Sequence, residues 1–133
     1  TGFIDTNYQG KASAAVEALG KYDLVFVHVE APDEAAHSGD AKMKKKAIEL
    51  IDEHVVGPVF EALQNYESWR ILVMPDHPTL TRTCAHSSDA VPFAMAGDNI
   101  TGILRTAFGE SNAARSGFRI DNGFELMEYF LRS

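Results

Sequence analysis

The stretch "VFVHVEAPDEAAHSGD" (25–40) joins a buried-strand pattern to a helix start that carries two metal-capable side chains. Leu24, Val25, Phe26, Val27 and Val29 make "DLVFVHVE" (23–30) a near-continuous β-branched and aromatic run. Such a run suits a strand covered on both faces, as in a parallel sheet. "APD" ends it, and Asp33 and His37 then stand at i and i+4, on one face of a helical turn. Taken alone, this pair reads best as a capping aspartate with a surface histidine, because aspartate is common at helix starts. His28 alternates with Val27 and Val29, so it faces the other side of the strand, as a histidine satisfied near the strand end.

Upstream, "YQGKASAAVEAL" (8–19) is Ala-rich with apolar positions at helical spacing, and Gly20 stops it. Downstream, a long amphipathic helix starts near Gly39. Met43, Ala47, Leu50, Ile51, Val55, Val59 and Leu63 fall on one stripe of it. His54 lies mid-helix beside acidic residues and reads as a surface residue. Pro58 removes a backbone donor and crowds the preceding turn, which predicts a kink or break at Gly57–Pro58. "WRILVMPD" (69–76) and "VPFAMAG" (91–97) are two further strands, and a short helix is expected around Asn112–Ser116. "NGFELMEYFLR" closes the chain as an amphipathic helix with Asn122 as its N-cap. This order predicts an α/β fold, a mostly parallel sheet flanked by helices, in a single domain over residues 1–133.

A chain of 133 residues fits one domain with a genuine core. Its net charge of −7 argues against nucleic-acid binding, which rests on neutralising phosphates. The lysines at 42, 44, 45 and 46 are local and read as a solvated helix face. One cysteine, Cys84, permits no intrachain disulfide and favours a reducing compartment, so the expected location is cytoplasmic. No apolar run approaches the roughly 18 residues of a membrane span, and no charged-then-apolar leader opens the chain. The start "TGFIDTNYQG", without an initiator methionine, reads as the interior of something longer.

Ligand sites in open α/β sheets form beyond the carboxyl ends of strands. The first strand is followed by Asp33 and His37, the second by Asp76 and His77, and His86 stands nine residues on in the next loop. Asp76–His77 alone is explained by a turn between Pro75 and Pro78. Together, five residues of two ligand types at consecutive strand ends point to metal. Mixed carboxylate and imidazole donors suit Mn²⁺, Zn²⁺ or Fe better than Mg²⁺ or Ca²⁺. Two such clusters suggest two ions, a common clamp for phosphoryl transfer. Cys84 shows neither base nor electropositive setting, so a catalytic role is not expected. Nor is a Gly-rich phosphate loop present.

The segments "TGFIDTNYQGKA", "HVEAPDEAAHSGD", "MPDHPT", "AHSSDAVPF" and "SGFRIDNGFELMEYFL" resemble the archaeal type of 2,3-bisphosphoglycerate-independent phosphoglycerate mutase, of the alkaline phosphatase superfamily. The resemblance runs nearly end to end and implies an alkaline-phosphatase-like core. It implies an isomerase that interconverts 3-phosphoglycerate and 2-phosphoglycerate in glycolysis and gluconeogenesis, with two divalent ions, often manganese. By match to the motifs, Asp33, His37 and His86 would bind one ion, and Asp76 and His77 the other. The family's nucleophilic serine, its further aspartate ligand and its inserted substrate domain match nothing here. The resemblance therefore covers the C-terminal portion, supplies no catalytic nucleophile, and implies that the isolated chain is inactive. Cys84 stands where a basic residue is expected, with Arg82 nearby, and Ala36 where glycine is usual. Two other readings stay open. One is another metal-dependent phosphatase, phosphodiesterase or phosphopentomutase of the superfamily. The other is a non-catalytic interaction domain whose Asp and His residues are caps and turns. A sheet lacking strands is also expected to expose an edge and to self-associate.

Overall fold

The computed structural model describes residues 3–132, so Thr1 and Gly2 of the opening motif, and Ser133, lie outside it. The arrangement is mixed α/β and divides into two compact units. One holds residues up to Tyr66 with Pro78–Ser88, the other Glu67–His77 with Asp89 onward.

The first unit is mainly helical. Helix α1 (Tyr8–Leu19) is capped by Asn7, whose side chain accepts from the Gly10 N–H, and it ends at Gly20. Helix α2 (Ala31–His37) has Pro32 in its first turn, where a missing N–H costs nothing. Asp40 accepts the Met43 N–H at 2.8 Å and so opens helix α3 (Ala41–Ile51). The helical path then runs through a π-turn (Asp52–Val56) into α4 (Gly57–Leu63). The break predicted at Gly57–Pro58 is thus a change of helix type. The Gly57 N–H bonds to the Asp52 carbonyl five residues back, and the widened turn accommodates the proline. His54, expected at the surface, is half-buried in that turn.

Tyr8, Ala31, Ala47 and Val55 form the centre of this unit, with Ile4, Val29, Leu50 and Ile51 packed against them. Ala31, Ala35 and Ala36 of α2 are fully buried. Burial raises the Tyr8 hydroxyl above its ordinary pKa, and Asp5 adds to the rise.

The run 24–30 takes no regular secondary structure and pairs with no strand among the described residues. It anchors through Val29 and through Lys11 Nζ, which donates to the His28 carbonyl at 3.0 Å. Leu24, Phe26 and Val27 are exposed, Phe26 at 75%. The composition of the run marks it as strand-forming, yet a strand needs a partner, and none is at hand among the described residues.

In the same unit a short hairpin pairs β2 (Thr79–Leu80) with β3 (Ala85–His86), Thr79 opposite His86. In the second unit β1 (Arg70–Val73) pairs antiparallel with β4 (Ala94–Gly97). The parallel sheet expected from the sequence is therefore not formed among these residues. No helix lies between β1 and β4, and a parallel pairing needs a long crossover, usually helical. Arg70 donates to the Phe130 carbonyl at 2.7 Å, which ties β1 to helix α6 (Glu125–Arg132). Leu126 and Phe130 are the buried face of that helix. It starts three residues after Asn122, whose side chain donates to Glu125 Oε1 instead of capping. The short helix α5 (Glu110–Arg115) lies close to its expected place.

Candidate metal centre

Helix α2 presents Asp33 and His37 one turn apart, and hairpin β2–β3 presents His86 to them. His37 Nε2 lies 3.3 Å from Asp33 Oδ2, and His86 Nε2 lies 3.4 Å from Asp33 Oδ1. The two Nε2 atoms are 2.9 Å apart, with ring centroids at 4.8 Å. Asp33 is half-buried and both rings are exposed. The capping alternative for Asp33 does not hold: the N-cap position is Glu30, and Asp33 sits inside the first turn, accepting from Thr79.

The donor set fits a divalent ion. Donors about 2.0–2.2 Å from an ion stand roughly 2.8–3.1 Å apart in octahedral and roughly 3.3–3.6 Å apart in tetrahedral geometry, and the separations seen here, two of them to different Asp33 oxygens, fall within that span. Two neutral imidazoles and one carboxylate are also the donor types that borderline divalent ions take.

The surroundings fix how these donors point. His37 Nδ1 lies 2.9 Å from the Cys84 carbonyl oxygen. A carbonyl only accepts, so Nδ1 donates there, which leaves Nε2 as the ring atom that faces Asp33 and His86. Cys84 closes the hairpin turn in the left-handed region at φ 52°. Its amide donates to the Leu80 carbonyl at 2.8 Å. Facing it, Gly39 also has a positive φ of 75°, and a side chain there would meet Cys84 Sγ at 3.4 Å. Thr79 Oγ1 donates to Asp33 Oδ1 at 2.5 Å. Lys44 Nζ donates to the Thr79 carbonyl at 2.6 Å.

In the second unit, Asp76 and His77 follow β1. His77 Nε2 lies 3.4 Å from Asp76 Oδ2, and Asp76 Oδ1 accepts the His77 N–H at 3.0 Å. Adjacent side chains that would diverge on a strand thus meet where the backbone turns. Sequence reasoning named all five residues by type, but missed Thr79, which reads as part of a proline turn. Its only signal was its place two residues after His77 in "DHPT".

An α/β chain that gathers carboxylate and imidazole donors on a helix and a neighbouring hairpin has the make-up of a metal-dependent enzyme core. A profile of the metalloenzyme superfamily matches residues 3–127, and the chain belongs to that superfamily. Divalent-metal binding is the property this membership implies. The chain is 51% identical over 132 residues to a 2,3-bisphosphoglycerate-independent phosphoglycerate mutase of Methanothrix thermoacetophila, covering 98% of this chain and 34% of that protein. A probable mutase of the same name from Geobacter sulfurreducens is 46% identical, with 98% and 33% covered. The resemblance read from the motifs is thereby borne out. A solved structure from Pyrococcus horikoshii superposes with a TM-score of 0.79 at 30% identity, over 98% of this chain and 39% of the other. The chain spans about a third of the length of the curated relatives it matches.

Proposed function

We propose that this chain is a metal-binding part of a 2,3-bisphosphoglycerate-independent phosphoglycerate mutase, which interconverts 3-phosphoglycerate and 2-phosphoglycerate. The observation that carries the reading is the convergence of His37 Nε2, His86 Nε2 and the Asp33 carboxylate. Those three residues hold one divalent ion, and Asp76 and His77 contribute to a second. Mn²⁺ is the expected ion, ahead of Zn²⁺, Mg²⁺ or Co²⁺. Bound ions would neutralise phosphoryl charge and activate a hydroxyl nucleophile. The residues of this chain orient donors and supply negative charge to the cations. They do not supply the nucleophile, so the isolated chain is expected to be inactive. The run 24–30 has the composition of a strand covered on both faces, and we read it as belonging to a parallel sheet completed by other segments of a longer protein. Its exposed backbone and apolar side chains support self-association of the isolated chain. No described helix is long and apolar enough to cross a membrane.

The test has two parts. Calorimetric titration of the purified chain with MnCl₂ should show binding that His86→Ala abolishes. The full-length gene product should convert 3-phosphoglycerate faster than it hydrolyses a generic phosphate ester. Turnover by the 133-residue chain alone, or a preference for the generic ester, would overturn the assignment.

A further inference from the structure

We propose that Thr79 is a positioning residue for the metal ligand Asp33, an inference that rests on the metal-site reading above. Thr79 is buried, with 4% of its surface exposed, and its hydroxyl donates to Asp33 Oδ1. A carboxylate is acceptor-only, so the hydroxyl proton lies on the Asp33 side of that contact. It occupies one lone pair of Oδ1 and fixes the carboxylate torsion, while His86 and His37 approach Oδ1 and Oδ2.

Three features make this more than a casual contact. Thr79 stands opposite His86 in the hairpin register, so one cross-strand pair delivers a ligand and the group that orients another. The Thr79 carbonyl is held by Lys44 from α3, so the hydroxyl is presented from a fixed backbone. Asp33 comes from a seven-residue helix that has no side-chain cap. Its own helix gives little to hold the carboxylate. The turn of the same hairpin supplies the Cys84 carbonyl that sets the tautomer of His37. The hairpin thus arranges both ligands of α2 before an ion arrives. Ordering the carboxylate in advance removes a loss of side-chain freedom from the binding step.

The test is Mn²⁺ affinity of the purified chain, measured by calorimetry for wild type, Thr79→Val, Thr79→Ser and His86→Ala. Valine keeps the shape and removes the donor; serine keeps the donor and removes a methyl group. Thr79→Val should weaken Mn²⁺ binding about 10–100-fold, and Thr79→Ser should stay within about threefold of wild type. A contact that serves packing alone predicts the reverse order, since serine leaves the gap and valine fills it. Circular dichroism of the metal-free variants checks that each is folded. A wild-type chain that binds Mn²⁺ while Thr79→Val binds it equally well overturns the role of Thr79 alone. A wild-type chain that takes up no Mn²⁺ overturns the site reading, and this assignment with it.

Discussion

Gly97→Ala should be among the most damaging single-methyl additions in the second unit. Gly97 ends β4 opposite Arg70, the first residue of β1, with φ at +123°. That region is essentially closed to L side chains and costs of order 1–3 kcal/mol for a residue forced into it. An added Cβ would also stand 2.2 Å from the Trp69 carbonyl oxygen and 2.7 Å from the Arg70 Cα. Both are backbone atoms at the entry to the partner strand, so no rotamer change relieves the overlap; overpacking of this kind adds about 1–3 kcal/mol. Alanine restricts the unfolded chain and returns about 0.4–1 kcal/mol. The net expectation is a loss of roughly 1–5 kcal/mol, read as a lower urea midpoint at unchanged slope. Gly102→Ala is the control, because a Cβ there meets nothing within 4 Å; it should fall within about 0.5 kcal/mol of wild type. A Gly97→Ala midpoint equal to that of the control would refute the steric reasoning. The stakes reach the chemistry, because β1 leads directly into Asp76 and His77.

Two further outcomes concern charge and turn geometry. Asp98 is held below the ordinary carboxylate value of 3.8 by the Ser68 hydroxyl, then by the Trp69 N–H at 3.1 Å, with Arg70 adding to the effect. A carboxylate depressed on folding stabilises the fold above its unfolded pKa, and that contribution disappears as pH falls through the folded one. Asp98→Asn should therefore lower Tm near neutral pH, and the gap to wild type should close below about pH 4; a gap that stays constant from pH 7 to 3 would count against it. Cys84→Gly should raise stability by up to about 1 kcal/mol, since glycine takes φ 52° without strain but has a freer unfolded chain. It keeps the carbonyl that His37 uses, so Mn²⁺ affinity should hold. Cys84→Val should lower both, and a neutral Cys84→Val in thermal melts and titrations would show that the turn does not need its left-handed residue.

Local signals carried much of this fold. The alanine-rich run of α1 and the apolar stripe of α3 are written in neighbouring residues, and both helices start close to where their patterns put them. Pairing is non-local, and that is where the reading diverged. The composition of 24–30 says strand but names no partner, and the direction of β1 against β4 depends on a connection whose path no propensity encodes. Asn122 looked like a cap because its residue type favours caps, but the helix begins after a further turn. At the site, the residue types that gather, Asp33, His37 and His86, were legible because Asp and His stand at successive element ends. The residues that aim them were not. Thr79 and the Cys84 carbonyl act through register and backbone conformation, which residue type alone does not reveal.

The π-turn at Asp52–Val56 also acts as a phase correction. Ala47 and Leu63 are both buried, though sixteen residues separate them. At 100° per residue a straight α-helix would carry Leu63 about 160° round from Ala47, nearly to the opposite side. One extra residue in a wider turn takes back about 100° of that rotation and returns Leu63 toward the same side. The helical rod from Ala41 to Leu63 can then tolerate many changes of side chain on its outer surface. What it cannot absorb is loss of the wide turn at unchanged length: rewinding 52–56 as regular α-helix would turn α4 away from its own core, whereas deleting one residue there would restore ideal winding and keep Leu63 on the same side.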